Sequence, residues 1–289
     1  MNSGGNMRHH ISSNITKFDP NILHNLPFLP SKIRQKTFKI TRTFGTQKLT
    51  LTAFETLNHL DLLTLFQLVK DYIVNKSNYI EAGKLEDFEV LQGEINLEKI
   101  VKERNLKNQK TNRKTIWDSI YRFQNVNVEL SYTDSQKIVR TKYIFQSQTD
   151  DENNLYICKI FINKKFFDFC VQSGIVLEIE KLFRYKSAYT ILLDVFIQST
   201  KWNNYDEELL FERIGLNDSN LLKKEKRRTL KKTFAELNEL NNFNFYCENN
   251  KWKSARMNTP TARMNTPTAR MNTPTARMNT PSRPKHQRG

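Results

Sequence analysis

Apolar residues between positions 31 and 250 recur at two spacings, and the switch between them divides the chain into helices and strands. β-prone residues fill 37–43 and 48–51 on either side of Gly45, which predicts a small hairpin. Leu57, Leu60, Leu63, Leu65, Leu68, Tyr72 and Ile73 then fall at helical spacing and predict one long amphipathic helix over 53–74. A polar connection containing Gly83 and Gly93 leads to a short helix at 96–106, with Asn96 as its cap and Glu98 and Lys99 behind it. A second helix is predicted at 111–123, with Ile116, Trp117, Ile120 and Phe123 on one face. Two alternating strands follow, 126–132 and 137–146, joined by the turn-prone Thr133-Asp134-Ser135-Gln136, and 155–162 reads as a third strand.

The same order returns in the second half. A helix at 185–198 is followed by a short acidic helix at 205–214 that ends on Gly215-Leu216. A long basic helix at 219–240 and a hairpin, 243–247 with 251–254 around Glu248-Asn249-Asn250, complete it. Ile100-Val101 and Leu106 correspond to Leu210-Phe211 and Leu216, and Asn105 stands where Gly215 stands. Both residue types tolerate the left-handed backbone that a sharp helix-to-helix turn demands. The next helix carries a matching apolar stripe, Ile116, Ile120 and Phe123 against Leu230, Phe234 and Leu237. This is the apolar skeleton of a helix-turn-helix, and the hairpin after it makes the motif winged. The expected fold is α+β, two tandem winged-helix domains with disordered termini. Residues 1–30 are expected as a flexible N-terminal segment, 31–165 as the first domain, 166–254 as the second and 255–289 as a disordered basic tail.

The tail repeats Ala-Arg-Met-Asn-Thr-Pro-Thr with a seven-residue period. A proline in every unit forbids a helix, and with no bulky apolar residue but Met the units build no core.

Charge sharpens this reading. The 289 residues carry 46 Lys+Arg against 30 Asp+Glu, a formal net charge of +16, which favours polyanionic partners. From Lys251 to Arg288 there are nine cations and no acid, yet the body before them remains basic. Along the predicted recognition helices the cations cluster opposite the apolar stripe. Lys110, Thr111, Asn112, Arg113 and Lys114 open the first helix, and Lys223, Lys224, Lys226, Arg227, Arg228, Lys231 and Lys232 surround the single acid Glu225 in the second. Lys and Arg suit phosphates, whereas Asn, Gln and Arg also read base edges in the major groove. The bets for base contact are Asn112, Arg113, Lys114, Lys226, Arg227 and Lys231. Lys137, Arg140 and Lys142, with Lys251 and Lys253, are candidate wing contacts. A lysine-rich helix is often only a solvated face. Two of them, each at the recognition position and each followed by a hairpin, outweigh that alternative.

Catalytic signals are poor. The chain has no phosphate-binding GxxxxGK[ST] loop, no GxGxxG, no GxSxG and no HExxH. No histidine lies between His59 and His286, so a histidine-metal nuclease has nowhere to put its site. Glu86-Asp87, Asp150-Asp151 and Glu207-Glu208 read as exposed turns or helix starts, and Trp117, Trp202 and Trp252 as packing residues. No enzyme activity, metal or cofactor is expected. Cys158, Cys170 and Cys247 fit neither a disulfide framework nor a zinc site and are expected as buried thiols of a reducing cytoplasm. No stretch approaches the roughly 18 apolar residues of a membrane span, and no export signal opens the chain. A soluble cytoplasmic protein without a membrane partner is expected.

This layout resembles the theta-type plasmid replication initiators built from two winged helices, most closely the TrfA-like group. The resemblance covers roughly 30–253 and rests on pattern and order. It is most specific from Tyr185-Lys186-Ser187-Ala188-Tyr189 through Gly215-Leu216 to Lys226-Arg227-Arg228-Thr229-Leu230-Lys231-Lys232. It implies binding to double-stranded origin repeats (iterons) under monomer–dimer control. It further implies melting of an adjacent A+T-rich segment and recruitment of host DnaA, helicase and polymerase. The heptapeptide tail has no counterpart in that group. The alternative in the same fold is a transcriptional regulator or a plasmid partition protein. A different class, a membrane-surface adaptor using the basic tail, would bind anionic vesicles as well.

Overall fold

Capping and strand signals set the element boundaries of the structure, a computed structural model that describes residues 15–30, 36–135, 137–149, 155–200, 204–241, 243–249 and 251–256. The expectations for residues 1–14, the heptapeptide tail from 257, Trp202 and Asp150-Asp151 lie outside the described residues. In chain order the first half contains β1 (Ile15–Phe18), α1 (Pro20–Asn25), β2 (Lys36–Phe44), β3 (Gln47–Glu55), α2 (His59–Val74), a 3₁₀ turn at Lys76–Asn78, β4 (Ile80–Leu85), β5 (Phe88–Asn96), α3 (Leu97–Glu103) and α4 (Lys110–Phe123). There follow β6 (Asn127–Tyr132), β7 (Ile138–Thr141), β8 (Ile144–Gln148), β9 (Ile157–Asn163), α5 (Lys164–Ser173), β10 (Ile175–Glu178), α6 (Ile179–Leu182) and α7 (Ala188–Thr200). The last elements are β11 (Asn204–Asp206), α8 (Glu207–Arg213), α9 (Lys223–Leu240), β12 (Phe243–Glu248) and β13 (Lys251–Arg256). The architecture is mixed α/β. The described strands form small antiparallel sheets in the orders β1-β10, β11-β13-β12, β2-β3-β6-β7 and β4-β5-β9-β8.

The long helix expected at 53–74 begins later. Residues 53–55 continue β3, and Asn58 stops the strand by capping α2: its side chain accepts from Leu60 N at 2.9 Å while Asp61 accepts from Asn58 N at 2.8 Å. This reciprocal pair satisfies donors that the first turn leaves orphaned. The polar connection around Gly83 is the β4–β5 hairpin. The stretch between the two expected domains contains α5, and the start of the expected acidic helix is the short strand β11.

Sheet order exposes a second correction. One path runs α2, β5, α3, α4, β8, β9, with its strands ordered β5-β9-β8; another runs α7, β11, α8, α9, β12, β13, with its strands ordered β11-β13-β12. In each, the first strand of the path sits beside the last. The expected hairpin directly after α4 is an insertion in this scheme. Its strand β6 pairs with β3, Leu49 opposite Leu130, and β7 closes that sheet. The expected single strand 137–146 is broken at Lys142-Tyr143, where the chain passes from one sheet to the other.

Residues 15–30 are built into the core, which corrects the expectation of a flexible segment. β1 pairs with β10, α1 is capped by Asp19 accepting from Asn21 N at 2.7 Å, and Phe18, Leu23, Leu26 and Phe28 are fully buried. Burial of each of those side chains contributes about 1.5–3 kcal/mol against the entropy of ordering the segment. This segment and the β2–β3 hairpin both sit against the turn after α8. Pro30 packs on Gly215, His24 stacks on Phe44 at 4.6 Å, Arg42 pairs with Asp218 at 2.5 Å, and the fully buried Arg213 donates to the Thr43 carbonyl. Burial pulls the Arg213 guanidinium below its ordinary pKa, against the pull of Glu212. Cys158 and Cys170 are buried as expected, whereas Cys247 on β12 is exposed. Among the described residues no helix is long and apolar enough to cross a membrane, and none group as a metal site.

Candidate nucleic-acid interface

The turns that lead into α4 and α9 have one geometry. Asn96 and Asp206 end the preceding strand and stand at the helix N-cap, where Asn96 accepts from Lys99 N at 3.0 Å. Asn105 has φ 54° and Gly215 φ 76°, so the left-handed turn expected of both residues is present in both. Around them the bonds repeat: Leu106 N donates to Val101 O at 3.1 Å and Leu216 N to Phe211 O at 2.8 Å, each closing the helix end on a carbonyl that would be orphaned. Below the first turn, burial pulls Arg104 down to about 10, although Asp61 and Glu103 favour its charge; it donates to Gln67 Oε1 and Thr64 Oγ1.

Beyond the turns, α4 and α9 bury matching stripes. Ile116, Ser119, Ile120 and Phe123 in α4 have the spacing of Leu230, Thr233, Phe234 and Leu237 in α9, and all are buried. This register aligns Arg113 with Arg227: Arg113 turns inward, whereas Arg227, its side chain 42 % exposed, reaches across to α8. Arg113 is 5 % exposed; it donates to Asn108 Oδ1 at 2.6 Å and its guanidinium lies over the Tyr156 ring at 4.3 Å. Arg227 donates to the buried Glu207 at 2.7 Å. Two residues expected at base edges therefore anchor their own helices. Both stand three residues ahead of the stripe, at Ile116 and Leu230, which puts Arg113 within it and Arg227 at its edge, and that spacing is the signal that could have flagged them. Glu207, expected as an exposed helix start, is the acid that holds the second of them.

The far ends of the two helices are locked as well. Arg122 reaches Asp61 at the start of α2 at 2.6 Å, and Asp61 is fully buried. At the equivalent place in α9, Glu236 accepts from Lys186 N at 2.5 Å and Thr190 Oγ1 at 2.6 Å, at the start of α7. Both locks fasten the third helix of a path to the N-terminal end of its first.

What remains outward differs sharply. On α4 the exposed side is Lys110, Thr111, Lys114, Thr115 and Tyr121, with Lys114 paired to Asp118 at 3.3 Å. Asn112 is half-buried and donates to the Lys107 carbonyl at 2.7 Å. Thr115, Asp118 and Tyr121 were not foreseen there. On α9, Lys224, Arg228, Lys231 and Lys232 are exposed and form no ion pair among the described residues. They fall on one side at i, i+4 and i+3 spacing. Lys223 is held by Glu208 at 2.6 Å and the half-buried Lys226 donates to Asn217 Oδ1 at 3.0 Å. Glu225 closes the helix start by accepting from Leu222 N at 2.9 Å.

The hairpin residues fall in two places. Lys137 and Arg140 are exposed on the inserted β6–β7 hairpin, with Arg140 paired across strands to Glu129 at 2.9 Å, and half-buried Lys142 follows at the crossing between sheets. At the hairpin of the second path, Lys253 is held by Glu248 at 2.5 Å and Lys251 lies 3.9 Å from Asp206. Trp252 stacks on Phe234 at 3.9 Å, fixing that hairpin to α9.

No protein-family model matches the sequence, and no curated protein matches it. Among solved structures the chain is similar to a selenomethionine derivative of domains 2 and 3 of RctB, with a TM-score of 0.60 and 12% identity over 83% of this chain and 99% of that chain. A second structure of RctB domains 2–3 matches with a TM-score of 0.56 and 13% identity, over 82% of this chain and 96% of that one. At such identity the likeness shows a shared fold.

Proposed function

We propose that the chain is a replication initiator that binds double-stranded DNA through two winged helices, with α4 and α9 entering major grooves and the β8–β9 and β12–β13 hairpins as wings. The observation that carries this is the repeated helix, left-handed turn and helix, of which the second, α9, bears four cations on one side with no ion pair among the described residues. RctB, which shares the fold, is a replication initiator, and the sequence resemblance to TrfA-like proteins points to a plasmid origin. The bound sites are direct repeats, the next partners are host replication proteins, and the chain catalyses no reaction itself. Lys224, Arg228, Lys231 and Lys232 are the phosphate contacts, Lys110, Thr111, Lys114 and Thr115 the reading side. Arg113 and Arg227 are positioning residues behind them. Four phosphate contacts give a salt exponent of about −3.6 on duplex DNA. Footprinting on the DNA that encodes the protein tests the reading: protection of direct repeats is expected. A single protected operator at a promoter, or no protection, would overturn it.

A further inference from the structure

The inserted hairpin borders a groove of about 400 Å³ that the duplex-binding reading leaves unused. Val128, Leu130 and Val139 form one wall, and Phe88, Phe166 and Phe169 the other. Val139 and Phe169 are each 38 % exposed, so the apolar lining is open to solvent at its rim. Three cations edge it, Lys137, Arg140 and Lys165, of which Arg140 already faces Glu129. The acid within the groove, Asp19, is committed to the start of α1, and burial raises its pKa. Along one border runs β7, the last strand of the β2-β3-β6-β7 sheet, whose outer edge has no strand partner among the described residues. An open strand edge beside an apolar groove is the arrangement that strand addition uses: main-chain bonds give affinity and alternate side chains enter the groove.

We propose that this groove takes an extended peptide segment of a partner protein, acidic and apolar in alternation, which adds to β7 as a fifth strand. Its apolar side chains pack against Val139, Leu130 and Phe169, and its carboxylates, which alternate to the other face of the added strand, fall on the side of Arg140 and Lys142. The proposal stands independently of the duplex-binding reading, because α9 lies elsewhere in the chain and its cations take no part.

The probe is a fluorescein-labelled synthetic peptide, Asp-Ile-Glu-Val-Asp-Phe-Glu, titrated with the full chain by fluorescence polarisation. Saturable binding is expected, weakened at least tenfold by Val139→Glu and, separately, by Phe169→Glu. It should be lost when alternate peptide amides are N-methylated or when the acids are replaced by Lys. Lys231→Glu with Lys232→Glu should leave it unchanged. Far-UV circular dichroism and thermal melts of both groove variants should match those of the unmodified chain, which reports that they fold. Binding that survives N-methylation or both groove substitutions, or that disappears with the α9 charges, overturns the proposal. So does concentration-dependent self-association that Val139→Glu abolishes, because a second copy is then the occupant.

Discussion

The two helix pairs share a backbone and differ in how they hold and present it. In the first, the lock between α4 and α2 is a buried ion pair, Arg122 with Asp61; in the second, the lock between α9 and α7 is a carboxylate capping backbone N–H groups. A buried charge whose partner is removed costs far more than a lost cap, so the first path depends on its lock more heavily. Outward the contrast reverses. The second path presents a dense row of cations, and the first presents hydroxyls, two lysines and a tyrosine. Under the proposed function one backbone thus serves two tasks, electrostatic anchoring at α9 and reading at α4.

Breaking the locks has the largest effect. Asp61→Ala leaves Arg122 and the neighbouring Arg104 with a lost counter-charge and should destabilise the fold by about 3–5 kcal/mol. Glu236→Ala should cost about 1–2 kcal/mol, the range for loss of a helix cap. Urea unfolding followed by tryptophan fluorescence compares them, and equal losses would erase the distinction. The turns come next. Gly215→Ala forces a Cβ into left-handed backbone and to 2.6 Å from Pro30 Cδ, a cost of about 2 kcal/mol. Asn105→Gly removes a Cβ from the same conformation and should be neutral or stabilising by up to about 1 kcal/mol. Thermal melts of the two variants moving in the same direction by the same amount would contradict the equivalence of these positions. Smaller again is the effect on reading. Lys114→Ala with Thr115→Ala should cut the preference for repeat-bearing over scrambled duplex about tenfold, whereas Lys231→Ala should weaken both duplexes alike. Competition binding measures the ratio.

Much of this duplication is legible in sequence because it is local. Asn105 and Gly215, the Asn96 cap and the two apolar stripes are each fixed by residues within a turn or two of one another, and periodicity records them. The intramolecular bonds of Arg113 and Arg227 are not legible in composition, by which an arginine in the first turn of such a helix reads as a base contact. Placement three residues ahead of Ile116 or Leu230, within or beside the stripe, is the physical determinant. The inserted hairpin was misplaced for a different reason. Pairing of β6 with β3 joins Val128 to Leu51 across a long loop of chain, and alternation within a strand says nothing about which distant strand it meets. Residues 15–30 were misjudged because their prolines mark interruptions, while the buried Phe18, Leu23 and Phe28 owe their place to partners far along the chain.

The most direct test of the account is the salt dependence of duplex binding for Arg227→Ala beside Arg228→Ala, two adjacent arginines with opposite assignments. Arg228→Ala should flatten the slope of log affinity against log salt by about one unit. Arg227→Ala should leave the slope unchanged and instead lower stability by about 1 kcal/mol through loss of its bond to Glu207. A slope that flattens for Arg227→Ala and stays fixed for Arg228→Ala would mean that α9 meets DNA with the side that faces α8.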